Sequence, residues 1–430
     1  MEKTQILKVL KIDENDVEEI SQVFTENKHI VKIKLKRDFT KINHIDRNKI
    51  IAFGWKTRKV HTKILNEYKS IVYIKYPRFK NKITNQIISY SNVLSDYYKR
   101  MSRSLIKNVL KLLRKDTMTY KCAAELNDIS TQEVLRIFDE YIECPRGKLS
   151  KIICIDECHN KDQFGEQKYC AILSDFISHN VLDVIKDRKL ETLDEYFSNI
   201  SLKERLNVEF VSMDMWKTYK IITRKFLPNA IISIDPFHVI YTIKRCIKDL
   251  EMSIYHKLED GSKEKKLLKK YFNQIIDYKI NHQKISFEIR KHCRKTTYEI
   301  KNDILAVDKM LCEAILFLDR YKELNRICSY KDFDEKFAQF IKDNPIYNED
   351  CFSVIKTMFT DWYEEIKNSF QRIETSYQIK RICNALAESL NNIYKKIMRV
   401  SNGVKNFERF RKRFMYCINK LVNYYQPKKL

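Results

Sequence analysis

The sequence predicts an α/β sheet joined to a large α-helical part, with a small basic α+β region in front of both. Short apolar runs alternate with helical patterns between residues 151 and 235, which is typical of an α/β sheet. Glycine and proline number only 5 and 6, which excludes collagen-like and turn-dense all-β proteins. Since 430 residues are too many for one compact domain and 44% are hydrophobic, we expect several folded domains and no global disorder.

Positive charge is concentrated in two regions of the chain. Residues 27–115 carry 24 cations and 4 acids, and residues 241–430 carry 39 and 25, whereas residues 151–240 carry 12 and 14. The whole chain has a net charge of +25, which favours a polyanion as partner, with nucleic acid first. A uniformly solvated basic surface is the alternative interpretation.

Membrane and secretion signals are not expected. No apolar run approaches the roughly 18 residues that span a bilayer, and the first residues do not form a signal peptide. The twelve cysteines are scattered between Cys122 and Cys417, as is typical of reduced thiols in a cytosol. We therefore expect a cytoplasmic protein without a membrane partner.

Residues 1–90 are predicted to form the small basic domain. Val31-Lys-Ile-Lys-Leu-Lys-Arg37 alternates like a half-exposed strand, and Ser70–Tyr76 is a second strand candidate. Between them, an aromatic residue is interleaved with candidate DNA-binding cations, which are Lys56, Arg58 and Lys59. These cations suit phosphate contacts, and a solvated face of the domain is an equally weighted alternative.

Residues 91–148 are predicted to be helical and to bind DNA. The pattern is helical from Ser91 to Leu113, where Arg103 and Lys107 are further candidate contacts. A short helix containing Ala123, Ala124 and Leu126 is followed by a tight turn at Asn127-Asp128, with Ile129 buried. Ser130 and Glu133 then form a capping box that opens a second helix with Arg136 on it. This pattern predicts a helix-turn-helix, although a plain helical hairpin shares it.

The middle region predicts a sheet in which two acids meet. The predicted strands are Lys151–Asp156, Tyr169–Asp175, Val181–Ile185, Val208–Asp214 and Pro228–Asp235, and the predicted helices are Leu190–Phe197 and Trp216–Phe226. Three meandering strands followed by helix, strand, helix and strand are the order of a ribonuclease-H-like fold. The first and fourth strands are neighbours in that fold, so we expect Asp156 and Asp214 to face each other.

The acid pair predicts a metal site. Two buried carboxylates side by side are costly unless a cation neutralises them, and oxygen ligands suit Mg²⁺ or Mn²⁺. Two such ions can catalyse phosphodiester cleavage, and the site then needs a third acid. Residues 237–344 contain no proline and only one glycine, which predicts a long helical insertion over 241–375. A later helix carries Asn384, Glu388 and Asn391 as a polar stripe, which is typical of a helix facing a metal site.

Several motifs in this order resemble a known family over residues 118–415. The motifs are Ile155-Asp-Glu157, Asp175, Asp187-Arg188, Ser212-Met-Asp-Met215 with Tyr219, Pro228-Asn-Ala230, Asp235-x-Phe-His-Val239, Glu388-x-x-Asn-Asn392 and Gly403-Val-Lys-Asn-Phe-Glu-Arg-Phe-Arg-Lys-Arg413. Together they resemble the ISL-three family of bacterial insertion-sequence transposases, which belongs to the Asp-Asp-Glu (DDE) class.

The resemblance implies a function, a metal requirement and site residues. It implies a ribonuclease-H-like catalytic domain, here residues 149–240 and 376–430, that performs Mg²⁺-dependent cleavage at terminal inverted repeats and strand transfer. Carried over by motif, Asp156, Asp214 and Glu388 are the triad that binds two metal ions. Asp235 and His238 are the Asp-x-x-His element after the fifth strand. Double-stranded DNA, as transposon ends and target, is the implied partner, and joining two ends implies a homo-oligomer.

The N-terminal region departs from the family pattern. Members of the family usually begin with a cysteine-paired zinc module, whereas no cysteine precedes Cys122 here. Either the small basic domain is held by packing alone, or terminal repeats are recognised differently. Cys154, Cys158 and His159 lack a second ligand pair, so zinc is not favoured there either.

Two further basic clusters are candidate DNA contacts. The insertion contributes Arg290, Lys291, Arg294 and Lys295, and the C-terminal region contributes Arg411 and Arg413. Solvated helix faces are the alternative. Two other functions stay open: a non-catalytic DNA-binding protein derived from a transposase, and another ribonuclease-H-like nuclease such as a junction resolvase.

Overall fold

The computed structural model of the chain divides into two compact units. It describes residues 2–42, 47–65, 68–89, 94–95, 99–160, 164–165, 168–277, 286–290, 293–374, 379–382, 385–401 and 404–425. The first unit comprises residues 1–146, 160–166 and 392–430, and the second comprises 147–159 and 167–391. The two units are defined by which residues pack together. The domain boundaries that the sequence predicts stay predictions.

The first unit begins with a helix and a five-stranded sheet. The elements are α1 (Lys3–Leu10), β1 (Val17–Thr25), β2 (Lys28–Leu35), β3 (Ile50–Thr62), β4 (Lys69–Asn81) and β5 (Ile87–Ser89). The strand order is β1-β2-β4-β3, β5 pairs with β4, and β2 and β4 are parallel. Val31, Ile33 and Leu35 are buried while Lys32 is exposed, so the alternation of β2 predicts its buried face correctly.

Three helices follow in the first unit. They are α2 (Arg103–Leu113), α3 (Tyr120–Leu126) and α4 (Thr131–Tyr141). The sequence predicts a helical pattern from Ser91, but α2 begins at Arg103, where the Ser102 side chain accepts a hydrogen bond from the Leu105 N–H. Residues 91–93 and 96–98 lie outside the described residues. An N-terminal serine cap satisfies a free backbone donor, and this fixes the start of α2.

The turn between α3 and α4 has the predicted capping box. The Ser130 side chain accepts from the Glu133 N–H, and the Glu133 carboxylate accepts from the Ser130 N–H. Asp128 has a left-handed backbone with φ of 53°, which makes the tight turn possible. Ile129 is half-buried and not buried as predicted, because the turn exposes part of its side chain.

The second unit contains a five-stranded mixed sheet. Its elements are β6 (Ile152–His159), β7 (Tyr169–Asp175), β8 (Val181–Ile185), α5 (Leu190–Ser198), α6 (Leu202–Arg205), β9 (Phe210–Met213), α7 (Lys217–Phe226) and β10 (Ile231–Ile234). The strand order is β10-β9-β6-β7-β8, with β6 parallel to β9 and β9 parallel to β10. The first and fourth strands are therefore neighbours, as expected. Strand β6 continues to His159 and does not end at Asp156, because it pairs with β7 as far as Tyr169.

The rest of the second unit is mostly helical. The helices are α8 (Pro236–Lys257), α9 (Lys263–Asp277), α10 (Thr297–Leu305), α11 (Lys309–Ile327), α12 (Phe333–Lys342), α13 (Ser353–Asp361) and α14 (Tyr363–Asn368). One strand pair interrupts the helical insertion predicted over 241–375, namely β11 (Ser286–Arg290) with β12 (Cys293–Thr296). A second pair, β13 (Arg372–Glu374) with β14 (Ile379–Arg381), lies across its end. Scarce glycine and proline do not exclude strands, and Ser286-Phe-Glu-Ile-Arg290 alternates with the period of a strand.

Two long helices end the chain. They are α15 (Ala385–Val400) and α16 (Phe407–Ile418). Within the first unit, the Tyr416 hydroxyl of α16 donates to the Leu110 carbonyl over 3.1 Å, and its ring lies edge-on to Phe138 with centroids 5.8 Å apart. Helix α16 therefore shares a core with α2 and α4.

In the described part of the chain, no helix combines the length and apolar character needed to cross a bilayer. The cysteines of that part form no disulfide bond.

Candidate active site

The site is built around two carboxyl groups on adjacent parallel strands. Ile155 of β6 lies opposite Met213 of β9, so Asp156 and Asp214 follow at the same level of the sheet. Both side chains belong to residues that are buried, with 6% and 9% of their surfaces exposed, and the two carboxyl groups share a hydrogen bond. The strand register thus brings together two acids that are 58 positions apart in the sequence.

Close packing of the two acids changes the protonation of Asp156. Burial raises the pKa of Asp156, and the charge of Asp214 and the hydrogen bond to Asp214 raise it further, to about 8. The Glu157 N–H donates to Asp156 over 2.7 Å and opposes this rise by favouring the ionised form. Burial beside Asp214 therefore favours the protonated form of Asp156, at the position that a cation would neutralise.

His238 contacts Asp214, and Asp235 fixes the helix turn that carries His238. Nε2 of His238 lies 2.9 Å from Oδ1 of Asp214. Burial alone would lower the pKa of His238, but the hydrogen bond to Asp214 and the charges of the surrounding acids outweigh burial and raise it. Asp235 caps α8 by accepting from the Phe237 N–H over 3.2 Å, which places His238 in the first turn of that helix.

Asn391 contacts the acid pair directly. Its Nδ2 donates to Oδ2 of Asp156 over 2.7 Å and to the Glu157 carbonyl over 3.0 Å. Its Oδ1 is buried and accepts no hydrogen bond from the described residues. The sequence placed Asn391 on a polar stripe facing the site, but it did not indicate that Asp156 is its partner.

Glu388 lies on the same helix but outside the buried pair. It is an exposed residue in the first turn of α15, three positions before Asn391 and thus on a neighbouring part of the same helix face. Throughout the described residues, no group of three or more His, Cys, Asp or Glu side chains is close enough to hold a metal ion. Asn384, the other member of the predicted stripe, lies outside the described residues.

An arginine beside the pair was not predicted as a site residue. Arg188 forms an ion pair with Glu157, and its guanidinium lies over the rings of Tyr169 and Trp216, 3.9 and 4.5 Å from their centroids. Neighbouring residues of a strand point to opposite faces, so Glu157 and Asp156 are directed to different sides of β6. The pairing of Glu157 with a residue after β8 follows from the sheet order and has no local sequence signal.

The donor set fits a divalent cation. Asp156 and Asp214 offer adjacent carboxylate oxygens, which hard cations such as Mg²⁺ and Mn²⁺ prefer. Two neighbouring carboxylates repel each other, and a cation bound between them would remove this cost.

The candidate DNA-binding cations differ in how far their side chains are exposed. Lys56, Lys59, Lys107 and Arg136 are exposed, whereas Arg58 and Arg103 are half-buried. The Arg58 guanidinium donates to the Lys99 carbonyl over 2.7 Å. Strand β11 carries Arg290, and β12 carries Arg294 and Lys295. Lys291 lies outside the described residues.

The two C-terminal arginines have structural partners. Arg413 is buried and donates to the carbonyls of Lys115 and Met118 over 2.9 Å each. Arg411 donates to the Cys144 carbonyl over 3.0 Å and pairs with Glu408. These contacts use Nη2 of Arg413 and Nη1 of Arg411, and phosphate binding by the two arginines stays a prediction.

Comparison with known proteins identifies the family of the chain. The sequence model of one family, DDE_Tnp_ISL3, described as transposase, matches residues 153–414, which is more than half of the chain. None of the curated proteins matches the chain. The matched segment contains Asp156, Asp214, Asn391 and Glu388. The chain therefore belongs to the ISL-three transposase family.

Proposed function

We propose that this protein is a DDE transposase that cleaves DNA at the ends of an insertion sequence and transfers the strands. Family membership supports a role in transposition, with DNA as the partner. The observation that carries the catalytic part is the buried Asp156–Asp214 pair on two neighbouring parallel strands. A carboxylate pair held in this way suits metal ions and has no evident role in stabilising the sheet.

The catalytic domain is proposed to be ribonuclease-H-like. The order β8-β7-β6-β9-β10 corresponds to strands 3-2-1-4-5 of the sheet, with the first three antiparallel and the last two parallel to the first. This order supports the proposal, because it is the arrangement in which acids on the first and fourth strands meet.

Asp156, Asp214 and Glu388 are proposed as the metal ligands. Two bound Mg²⁺ or Mn²⁺ ions would activate the attacking oxygen and stabilise the leaving oxygen of the phosphodiester. Asp156 must give up its proton to bind a cation, and the Asn391 amide and the Glu157 N–H favour that ionised form. His238 orients Asp214 through its hydrogen bond. Glu388 completes the set by turning its exposed side chain toward the face that Asn391 already occupies.

DNA binding is proposed to involve the first unit. Its exposed lysines on β3 and α2, with the helix pair α3–α4 acting as a helix-turn-helix, would contact the phosphate backbone. The exposed face of α4 also carries Asp139 and Glu140, which pair with Arg409 and Lys99. The basic stretch before α3 is therefore proposed to contribute more of the affinity than α4. The active complex is proposed to be a homo-oligomer working in the bacterial cytoplasm.

The test is metal-dependent cleavage of the DNA that flanks the gene. Asp156→Asn, Asp214→Asn and Glu388→Gln should each abolish Mg²⁺-dependent cleavage and strand transfer while leaving DNA binding intact. Glu191→Gln is the matched control, because Glu191 is also an exposed acid in the first turn of a helix. Cleavage by all three variants at the wild-type rate would refute the assignment.

A second candidate is a DNA-binding protein of this family that no longer cleaves. One observation favours it, namely that the buried cluster has two carboxyl groups and Glu388 is exposed. Specific binding of the flanking DNA without cleavage in either Mg²⁺ or Mn²⁺ would establish this candidate. Cutting of branched DNA without any joined product would instead indicate another type of nuclease.

A further inference from the structure

Three large aromatic side chains are exposed beside the acid pair. Trp216 follows Asp214 by two positions and is 41% exposed, and Phe237 and Tyr241 lie in the first turns of α8 and are each 55% exposed. Exposed aromatic residues grouped at one place commonly mark a binding surface. We call these three residues the aromatic platform.

The sheet places all three at the same edge as the carboxyl groups. Strands β9 and β10 are parallel neighbours, and the Asp235 N–H donates to the Met213 carbonyl over 3.2 Å, so the segments after both strands emerge together. The Phe237 ring lies 5.8 Å from the His238 ring, and His238 contacts Asp214. The platform therefore lies next to the Asp156–Asp214 pair.

The rings are held in place while parts of their surfaces stay exposed. Trp216 lies against the Arg188 guanidinium, which is itself fixed by Tyr169 and by the ion pair with Glu157. Phe237 and Tyr241 lie one helical turn apart with nearly parallel rings, whose centroids are 6.4 Å apart at 23°. Rings that are already ordered lose little conformational entropy when a flat ligand stacks on them.

We propose that the aromatic platform stacks on nucleobases of the DNA that occupies the acid pair. Every base has a flat π-face, so stacking suits a protein that must hold DNA irrespective of the target sequence. Lys217 follows Trp216, and its side chain is 80% exposed. Its Nζ lies 3.5 Å from Oδ2 of Asp361, and this exposed ion pair is weak enough for a phosphate to replace it beside the ring. An apolar protein partner would not need a cation there. This inference rests on the proposed function, because it requires DNA at the site.

Photo-crosslinking tests the platform directly. The full-length protein is bound to a duplex of the flanking DNA in which 5-iodouracil replaces thymine at successive terminal positions, a probe that crosslinks to aromatic rings stacked on it. We expect adducts on Trp216, Phe237 or Tyr241. Trp216→Ala and Phe237→Ala should each weaken binding by about tenfold and remove the corresponding adduct. The control variants are Ile221→Ala and Tyr298→Ala, because both residues are exposed in the same unit and neither belongs to the platform.

The possible results separate this inference from the proposed function. Adducts confined to other residues, or platform variants that bind as tightly as the controls, would overturn the platform while Mg²⁺-dependent cleavage by the wild type still supported a transposase. A wild-type protein that neither binds nor cleaves the flanking DNA would overturn both. Self-association that Trp216→Ala abolishes, with DNA binding unchanged, would assign these rings to a second copy of the chain and overturn base stacking.

Discussion

The Asn391 amide donates a hydrogen bond of 2.7 Å to Asp156 across 235 positions of sequence. The same nitrogen donates to the Glu157 carbonyl over 3.0 Å, so one side chain ties α15 to β6 at two points. Glu388 lies one turn earlier on α15. The contact therefore fixes the helix that carries the proposed third ligand relative to the strand that carries the first.

Replacing Asn391 tests this link. Asn391→Ala removes a donor that favours the ionised form of Asp156 and frees the carboxylate to rotate, so we expect cation affinity to fall by about tenfold or more. The measurement is Mn²⁺ binding by calorimetry, with cleavage assayed in parallel.

The neighbouring Asn392 provides the control for this experiment. It is exposed on the same helix, so Asn392→Ala should leave cation affinity unchanged. Equal affinities of the wild type and Asn391→Ala would show that this contact does not contribute to cation binding.

The raised pKa of Asp156 makes stability depend on pH. Folding raises this pKa from 3.8 to about 8, so the folded protein retains a proton that the unfolded chain has released. The contribution of Asp156 to the free energy of unfolding should therefore be greatest below about pH 4, and it should fall as the pH rises toward 8. His238 acts in the same direction, because its raised pKa stabilises the fold below pH 6.5 and this contribution is lost above its folded pKa.

Urea unfolding between pH 4.5 and 8.5 measures this dependence. In Asp156→Asn the decrease between pH 4.5 and 6 should be clearly smaller, because the variant side chain does not titrate. A pH profile identical to that of the wild type would contradict the assignment of the shifted group. Added Mg²⁺ should stabilise the wild type more at pH 8 than at pH 6, because binding displaces the proton.

The sequence predicted the strands and the acid pair better than the surroundings of the pair. Strands β7 and β8 have the predicted bounds, because apolar runs ending in turns mark buried strands. The neighbouring positions of Asp156 and Asp214 followed from the strand order. Asn391 and Arg188 reach their partners through the packing of distant elements, which local periodicity does not encode. The sequence does not predict strands β11 and β12, because scarce glycine and proline favour a continuous helix there.

The capping box at the start of α4 should stabilise the first unit measurably. Ser130→Ala removes the acceptor of the Glu133 N–H and should lower the free energy of unfolding by about 1 kcal/mol. Thr131→Ala, at the next position, is the control, because Thr131 is not the cap residue. Thermal unfolding of both variants measures the difference, and equal destabilisation would show that the cap hydrogen bond is not the cause.

Arg188 should stabilise the protein near the acid pair in two ways, through its ion pair with Glu157 and through stacking of its flat guanidinium on aromatic rings. Arg188→Ala leaves Glu157 without its ion-pair partner and removes the guanidinium from the rings of Tyr169 and Trp216, so we expect a loss of about 2 kcal/mol. Arg188→Lys keeps the charge but not the flat stacking surface, and should recover only part of this loss.

A double-mutant cycle separates the ion pair from the stacking. If the ion pair contributes, Arg188→Ala and Glu157→Gln together should destabilise the protein by less than the sum of the single variants, with a coupling energy of about 1 kcal/mol. Additive effects would mean that Arg188 acts only through the aromatic rings. In that case Trp216 fluorescence should still shift in Arg188→Ala and stay unchanged in Glu157→Gln, because only the first variant removes the contact with the indole ring.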